Sequence, residues 1–284
     1  MARNHSPSVV AIWIGLVCNV LLAILKITVG LLFHSPVLVA DGVNNAGDIV
    51  ATLAALVSSL ISKKPADADH PYGHGKAEVV AASLVAVLLA LAAFWIGYQS
   101  LTAFFEPPRH ASWLPLIAAA VSLALKQALY VYTMRVGKKH RSKSAQATAY
   151  DHLADVYSSI AAVLGIGLAL WGDRAGVAWA SYADPAAGLI VTFLVFRLAY
   201  KLGREATDIL MEKTVPPHVI EQYGRVIAEL DDIRRIDRIR AREHGQYIIV
   251  DVRVGIPSHY TIQQGHDISR QIKKRIMDHD PHVG

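Results

Sequence analysis

The stretch VVAASLVAVLLALAAFWIGYQSLTAFF, residues 79–105, contains no charged residue. A helix of about 20 apolar residues crosses the hydrocarbon core of a bilayer, so this stretch is long enough to span it. Five further segments have the same character, at residues 8–33, 37–62, 111–136, 145–171 and 178–203. The whole chain is 53% hydrophobic and only 18% charged, a composition typical of membrane proteins. We therefore predict a polytopic helical membrane protein with six transmembrane helices.

The distribution of positive residues between these segments predicts their orientation. The net charge is +5, and the positive residues concentrate in two loops. Lys63, Lys64 and Lys76 follow the second segment, and a basic run at 135–143 follows the fourth, whereas each alternate loop contains at most one positive residue. Because cytoplasmic loops are enriched in Lys and Arg, both termini are predicted to be cytoplasmic. The basic run is interpreted as a topology signal beside lipid head groups, and no nucleic-acid partner is expected.

The chain changes character near its C-terminal third. Residues 207–284 carry dense charge and no apolar run of spanning length, which predicts a cytoplasmic domain after a transmembrane domain at 1–206. The predicted elements are, in order, a helix at 216–230, strands at 233–242 and 247–256, and a helix at 262–277. This α-β-β-α order predicts a ferredoxin-like α+β domain whose last strand is missing or shortened.

Polar pairs interrupt two of the predicted spans. An Asp at the centre of a transmembrane helix costs roughly 2.5 to 3.5 kcal/mol on insertion scales, so such residues usually have a function. Asp41 and Asn45 are four residues apart in the second span, and Asp151 and Asp155 are four apart in the fifth. This spacing places both side chains of a pair on one face of their helix. Asp48 shares the face of Asp41 and Asn45 on the second span. If the two faces oppose each other, they form a cage of four oxygen ligands.

Two alternatives remain open for these acids. Lys26 and Lys126 also lie in predicted spans, and the carboxylates could pair with them instead of binding a metal ion. A rival register on the fifth span combines His152 with Asp155 at i,i+3. An imidazole ligand would shift the preferred metal towards zinc.

A third cluster lies in the loop after the second span. Asp67, His70 and His74 offer oxygen and nitrogen ligands within eight residues. This combination predicts a secondary site of the zinc type. Because the two histidines lie in a loop beside carboxylates, they could equally be solvated.

Six spans with polar pairs on the second and fifth, the sequence DHPYGHGKAE at 69–78 and the α-β-β-α tail together resemble the cation diffusion facilitator family over essentially the whole chain. The resemblance implies a homodimeric, proton-coupled exporter of divalent transition metals, with no prosthetic group and no enzymatic activity. It also implies two metal sites. The transport site would comprise Asp41, Asn45, Asp151 and Asp155, and the secondary site Asp67, His70 and His74.

The ligand types at the implied transport site favour manganese. The zinc-transporting members that this chain resembles have His in place of Asp151 and Asp in place of Asn45, and the all-oxygen set is similar to the manganese-exporting branch. Carboxylate and amide oxygens suit Mn²⁺, whereas imidazole or thiolate is the usual source of Zn²⁺ affinity. The predicted cargo is therefore Mn²⁺ first, then Fe²⁺ or Zn²⁺.

The tail departs from the zinc-type pattern. Asp237 and Arg253 stand where those members supply histidines, although His266 matches, so no binuclear zinc site is expected in the tail. By the same resemblance, Lys76 and Glu212 are expected to form a salt bridge that joins membrane domain and tail across the dimer.

The sequence thus predicts a proton-coupled metal exporter of the bacterial inner membrane. Two other classes of function are kept as alternatives. An intramembrane, Mg²⁺-dependent enzyme of the prenyltransferase type would need basic residues beside its acids, for which Lys26 and Lys126 are the candidates. A structural or sensory membrane dimer would pair its acids internally and bind no metal.

Overall fold

The computed structural model describes residues 7–62, 64–106, 112–140, 142–245 and 247–283. Within these ranges, six helices are long and apolar enough to cross a membrane. They are α1 (Pro7–Leu32), α2 (Pro36–Ser62), α3 (Ala77–Thr102), α4 (Trp113–Lys139), α5 (Lys143–Ala175) and α6 (Ala183–Leu210). The six predicted spans are confirmed as helices, and the main difference is that a short 3-10 helix, Ala178–Tyr182, precedes α6. This protein is an integral membrane protein.

The ends of the helices are set by side chains as well as by sequence. Ser142 caps α5 by accepting a hydrogen bond from the Ala145 N–H at 3.3 Å, and Gly176 ends α5 in the left-handed conformation, with a φ of 67°. The N-terminus of α2 is held from another helix, because the Asp184 carboxylate of α6 accepts from the Val37 N–H at 3.0 Å. A carboxylate at this end also complements the helix dipole. Helix α2 is thereby fixed one turn before Asp41.

The described residues form two compact units, one of residues 7–53 with Val85–Lys201 and the other of Ala54–Leu84 with residues 202–283. In the first unit, α5 packs against both α1 and α4. Large apolar side chains on the helices remain exposed, among them Phe94, which is 72% exposed. Exposed apolar surface of this extent fits contact with lipid.

The second unit contains the tail, whose elements follow the predicted α-β-β-α order. They are α7 (Pro217–Ala228), β1 (Arg235–Glu243), β2 (Ile248–Gly255) and α8 (Ile262–His279). The strands are antiparallel, and the helices bury Tyr223, Ile227 and Ile272 against them. The Tyr223 hydroxyl donates to Asp280 at 2.6 Å. This hydrogen bond adds to the effect of burial in raising the pKa of Tyr223 and holds the pKa of Asp280 below its usual range.

The expected shortening of the last strand has a structural counterpart. After α8, the Ile248 N–H donates to the His282 carbonyl at 2.7 Å, and Ile248 forms a single parallel bridge with Val283. Among the residues described, a third strand is therefore represented by this one bridge at the edge of β2.

Two guanidinium groups lie beside the carboxylate of Asp237 on β1. Asp237 accepts from Arg235 Nε at 2.8 Å, and Arg253 Nε lies 3.8 Å from its other oxygen. A bound cation at Asp237 would have to displace these groups and would be repelled by their charge.

We therefore expect the isolated tail, residues 207–284, to lack a tight binuclear zinc site. Calorimetric titration with Zn²⁺ should show at most weak binding. The variant Arg253→His, which restores an imidazole at this position, serves as the comparison and should bind more tightly. Two zinc ions bound per unmodified tail at sub-micromolar affinity would contradict the expectation.

Candidate metal centre

Helices α2 and α5 present their polar faces to each other, which meets the condition that the sequence set for a shared site. The Ser158 and Ser159 hydroxyls of α5 donate to the two oxygens of Asp41 on α2, at 2.8 and 3.0 Å. In the opposite direction, the Asn44 amide of α2 donates to Asp155 on α5 at 2.7 Å. The two acids are therefore linked to the facing helix by neutral hydrogen-bond donors.

Each of these acids also forms a buried ion pair with a lysine. The Lys26 ammonium of α1 lies 2.6 Å from Asp41, and neither side chain has any exposed surface. Lys126 of α4 is paired in the same way with Asp155. The pairing with Lys26 and Lys126 that the sequence left open is thus present in the structure.

A glycine explains how Lys26 reaches Asp41. A Cβ atom added to Gly42 would lie 2.8 Å from the Ile27 side chain and 3.0 Å from the Ile27 nitrogen and the Lys26 Cβ. These distances are too short for a side chain, so the absence of one at Gly42 lets the backbones of α1 and α2 approach closely. That approach brings the Lys26 ammonium to the carboxylate of the neighbouring residue.

The other predicted residues of the transport site differ in their surroundings. Asn45 is fully buried, and neither polar atom of its amide has a hydrogen-bond partner. Asp151 is exposed and Asp48 half-buried, and both lie near Asp155. An orphaned buried amide is costly, and its oxygen is available to a cation.

The rival register with His152 has a different geometry. His152 is buried, and its Nε2 atom would lie only 2.9 Å from a Cβ on Gly15 of α1. The imidazole therefore faces α1, whereas Asp155 contacts Asn44 of α2 and Lys126 of α4. Neither ring nitrogen of His152 has a hydrogen-bond partner.

The loop cluster is brought together as predicted. One potential ligand atom from each of Asp67, His70 and His74 lies within 4.8 Å of the others. His70 Nδ1 is 3.3 Å and His74 Nε2 is 3.5 Å from the Asp67 carboxylate. The backbone N–H of His70, followed by its side chain, holds the pKa of Asp67 below its usual range. An ionised carboxylate beside two imidazoles is a suitable ligand set for a divalent ion.

The same loop contacts the tail within the second unit. The Tyr247 hydroxyl donates to the Tyr72 carbonyl, and Lys76 pairs with Glu212 at 2.9 Å. Glu212 also pairs with Arg242 at 2.7 Å, and these cations, Lys76 foremost, lower the pKa of Glu212. The expected pairing of Lys76 with Glu212 is present, between two residues of one chain.

Several residues of the centre were not identified from the sequence. Asn44, Ser158 and Ser159 hold the acids across the α2–α5 interface, and Asn19 accepts from Lys126 at 2.7 Å. A signal was available for three of them, because Asn44 is three residues after Asp41, and Ser158 and Ser159 are three and four after Asp155. Residues at these intervals share a helical face. Asn19 carried no such signal.

Both the helical part of the chain and its tail match domains of known proteins. Residues 12–211 match the cation efflux transmembrane domain, and residues 215–284 match the cytoplasmic domain of cation efflux proteins. The manganese efflux system protein MneP of Bacillus subtilis is 43% identical over 93% of this chain and 89% of its own length. MneS, a second manganese efflux system protein of the same organism, is 29% identical over the same shares. The magnetosome protein MamM of Paramagnetospirillum magneticum is 28% identical over 93% of this chain and 82% of its own.

These matches extend over nearly all of the chain and include the helices that carry the paired acids. They also include the tail with its two strands. The chain belongs to the cation diffusion facilitator family of divalent metal exporters.

Proposed function

We propose that this protein exports Mn²⁺ from the cytoplasm in exchange for protons, through a site formed by Asp41, Asn45, Asp151 and Asp155. The observation that carries the proposal is the orphaned amide of Asn45, buried on the face of α2 that also presents Asp41. A cation held between α2 and α5 would use the Asn45 oxygen together with the carboxylates. Such a site lies within a membrane protein of a metal-exporting family.

The identity of the metal is inferred from the ligand atoms and from the relatives. Carboxylate and amide oxygens suit Mn²⁺ better than a site with imidazole or thiolate would. His152, the nearest imidazole in sequence, packs against α1 at Gly15. MneP and MneS, at 43% and 29% identity, are named for manganese efflux. Fe²⁺ and Zn²⁺ are the next candidates.

Proton coupling is proposed from the chemistry of the ligands. Carboxylates must be ionised to hold a divalent ion, so protons and metal compete for Asp41, Asp151 and Asp155. Loading from the cytoplasm would release protons, and protonation from the outside would favour release of the metal.

The proposal includes the assembly and its surroundings. We infer a homodimer in the inner membrane with both termini cytoplasmic, a transmembrane domain at 1–206 and a regulatory tail at 207–284, supported by the positive-inside pattern and the match to a cytoplasmic domain. The cluster of Asp67, His70 and His74 is the proposed secondary metal site.

The ion pairs of Lys26 and Lys126 bear on the two alternative functions. A prenyltransferase-type enzyme would need Lys26 and Lys126 for diphosphate, but both ammonium groups are paired with acids. A structural or sensory dimer predicted this internal pairing, and it differs from an exporter in binding no metal. Metal binding at the acids therefore discriminates between the two.

Replacing Asp151 or Asp155 with alanine should reduce Mn²⁺ transport in proteoliposomes to background, because each change removes one of three charges that balance the ion. Asp173→Ala provides the matched control, since Asp173 is an exposed acid near the far end of the same helix. Transport near the parental rate by either site variant, at equal protein incorporation, would refute the assignment.

The variant Asp151→His should raise the ratio of Zn²⁺ to Mn²⁺ transport, because it exchanges an oxygen ligand for a nitrogen ligand. A change of about tenfold corresponds to about 1.4 kcal/mol of differential binding. Competitive uptake of the two metals measures the ratio, and His152→Ala serves as the comparison. If His152→Ala alone changes the ratio, the register with His152 is correct.

The affinity for Mn²⁺ should fall as the pH is lowered, by up to about tenfold per pH unit for each proton displaced. Titrations in detergent between about pH 5.5 and 8 would give the slope, and Asp41→Asn should flatten it because one ionisable ligand is removed. A pH-independent affinity in the parent protein would leave proton exchange at this site without a mechanism.

A further inference from the structure

The ion pairs of the centre leave no carboxylate oxygen of Asp41 or Asp155 without a donor. Asp41 accepts from Ser158 on one oxygen and from Ser159 and Lys26 on the other. Asp155 accepts from Asn44 on one oxygen and is paired with Lys126 through the other. One oxygen of each acid is thus held by an ammonium group, and a divalent ion that binds an acid through both of its oxygens must displace that group.

Electrostatic repulsion also favours displacement of the ammonium groups by the ion. Two ammonium groups neutralise the charges of two acids in a region where water is scarce, which is the usual way of tolerating buried carboxylates. A divalent ion added beside both ammonium groups would be repelled by them, and the repulsion is strong at low dielectric. The ion and the lysines therefore compete for the same place.

Each lysine has a second acceptor that carries no charge. The Lys126 ammonium also donates to the Asn19 oxygen at 2.7 Å, and Asn19 is itself buried. The Lys26 ammonium donates to the Ser159 hydroxyl at 3.3 Å. An ammonium group that leaves its carboxylate can thus keep one hydrogen bond. Lys126 would keep the bond to Asn19, and Lys26 the bond to Ser159.

We propose that Lys26 and Lys126 act as tethered cations that compete with the transported metal for Asp41 and Asp155. This inference rests on the proposed function. The lysines are positioning residues that set the affinity of the site: they hold the acids in place, and they lower the affinity for the metal so that it can be released. They reach the site from α1 and α4, two helices that pack against α5.

The test is Lys126→Met in the full-length protein, which keeps the length of the side chain and removes the charge. Lys138→Met is the matched control, because Lys138 is an exposed lysine near the end of the same helix. All proteins carry Asp67→Ala, so that the loop cluster does not contribute to binding. Mn²⁺ affinity is measured by competition with a fluorescent chelator, and thermal unfolding is measured with and without Mn²⁺.

We expect Lys126→Met to bind Mn²⁺ at least about tenfold more tightly than the background protein, which corresponds to 1.4 kcal/mol. Without Mn²⁺ it should unfold at a lower temperature, because Asp155 has lost its partner, and Mn²⁺ should raise its Tm by more than it raises that of the background protein. Lys26→Met should behave in the same way, and Lys138→Met should match the background protein in both measurements.

A double variant, Lys126→Met with Asp155→Asn, separates charge pairing from metal binding. It should regain thermal stability without Mn²⁺ but gain little from adding the metal. Unchanged or weaker Mn²⁺ affinity in both single variants, or a loss of stability that Mn²⁺ does not restore, would overturn the inference.

These outcomes are distinct from failure of the proposed function. If the background protein binds no Mn²⁺, or binds it equally well with Asp155→Ala, the transport site itself is wrong. If binding requires Asp155 but is not tightened by either lysine variant, only the role of the lysines is wrong.

Discussion

Compensation of buried carboxylates is the constraint on which the membrane part of this protein depends. Asp41 has no exposed surface, and Asp155 is nearly as buried. Ionised acids at such positions are tolerated only when opposite charge and hydrogen bonds replace the lost water. Here that replacement comes from other helices: Lys26 from α1, Lys126 from α4, and serine or asparagine donors between α2 and α5. The same contacts that satisfy the acids therefore fix the relative positions of four helices.

The proposed transport site makes use of this arrangement. A cation bound there between α2 and α5 would compete with groups on α1 and α4, because Lys26 and Lys126 already hold oxygens of the acids. Gly42 contributes by letting α1 approach α2 closely enough for Lys26 to reach Asp41. Asn45 adds a neutral amide that has no partner of its own. The centre thus combines two satisfied acids, Asp41 on α2 and Asp155 on α5, with one unsatisfied amide on the face of α2 that presents Asp41.

In the tail, positively charged side chains pair with acids at the surface. Arg235 and Arg253 lie beside Asp237, where their charges oppose the binding of a further cation. Near the loop cluster, Glu212 is held by Lys76 and Arg242, and the Tyr247 hydroxyl reaches the loop backbone at Tyr72. In the second unit, therefore, fixed positive side chains and a tyrosine link the loop that carries Asp67, His70 and His74 to the tail.

Sequence alone was sufficient for the six helices, the order of the tail elements and the grouping of polar residues on one face of α2 and on one face of α5, because hydropathy and helical periodicity are local properties of the chain. It also identified Lys26 and Lys126 as possible partners of the acids but left open whether they pair. Only the tertiary structure decided that they do, that His152 faces α1 and that Lys76 reaches Glu212 within one chain. Each of these contacts joins residues far apart in sequence, and the packing of helices, which no local pattern encodes, determines which side chains meet.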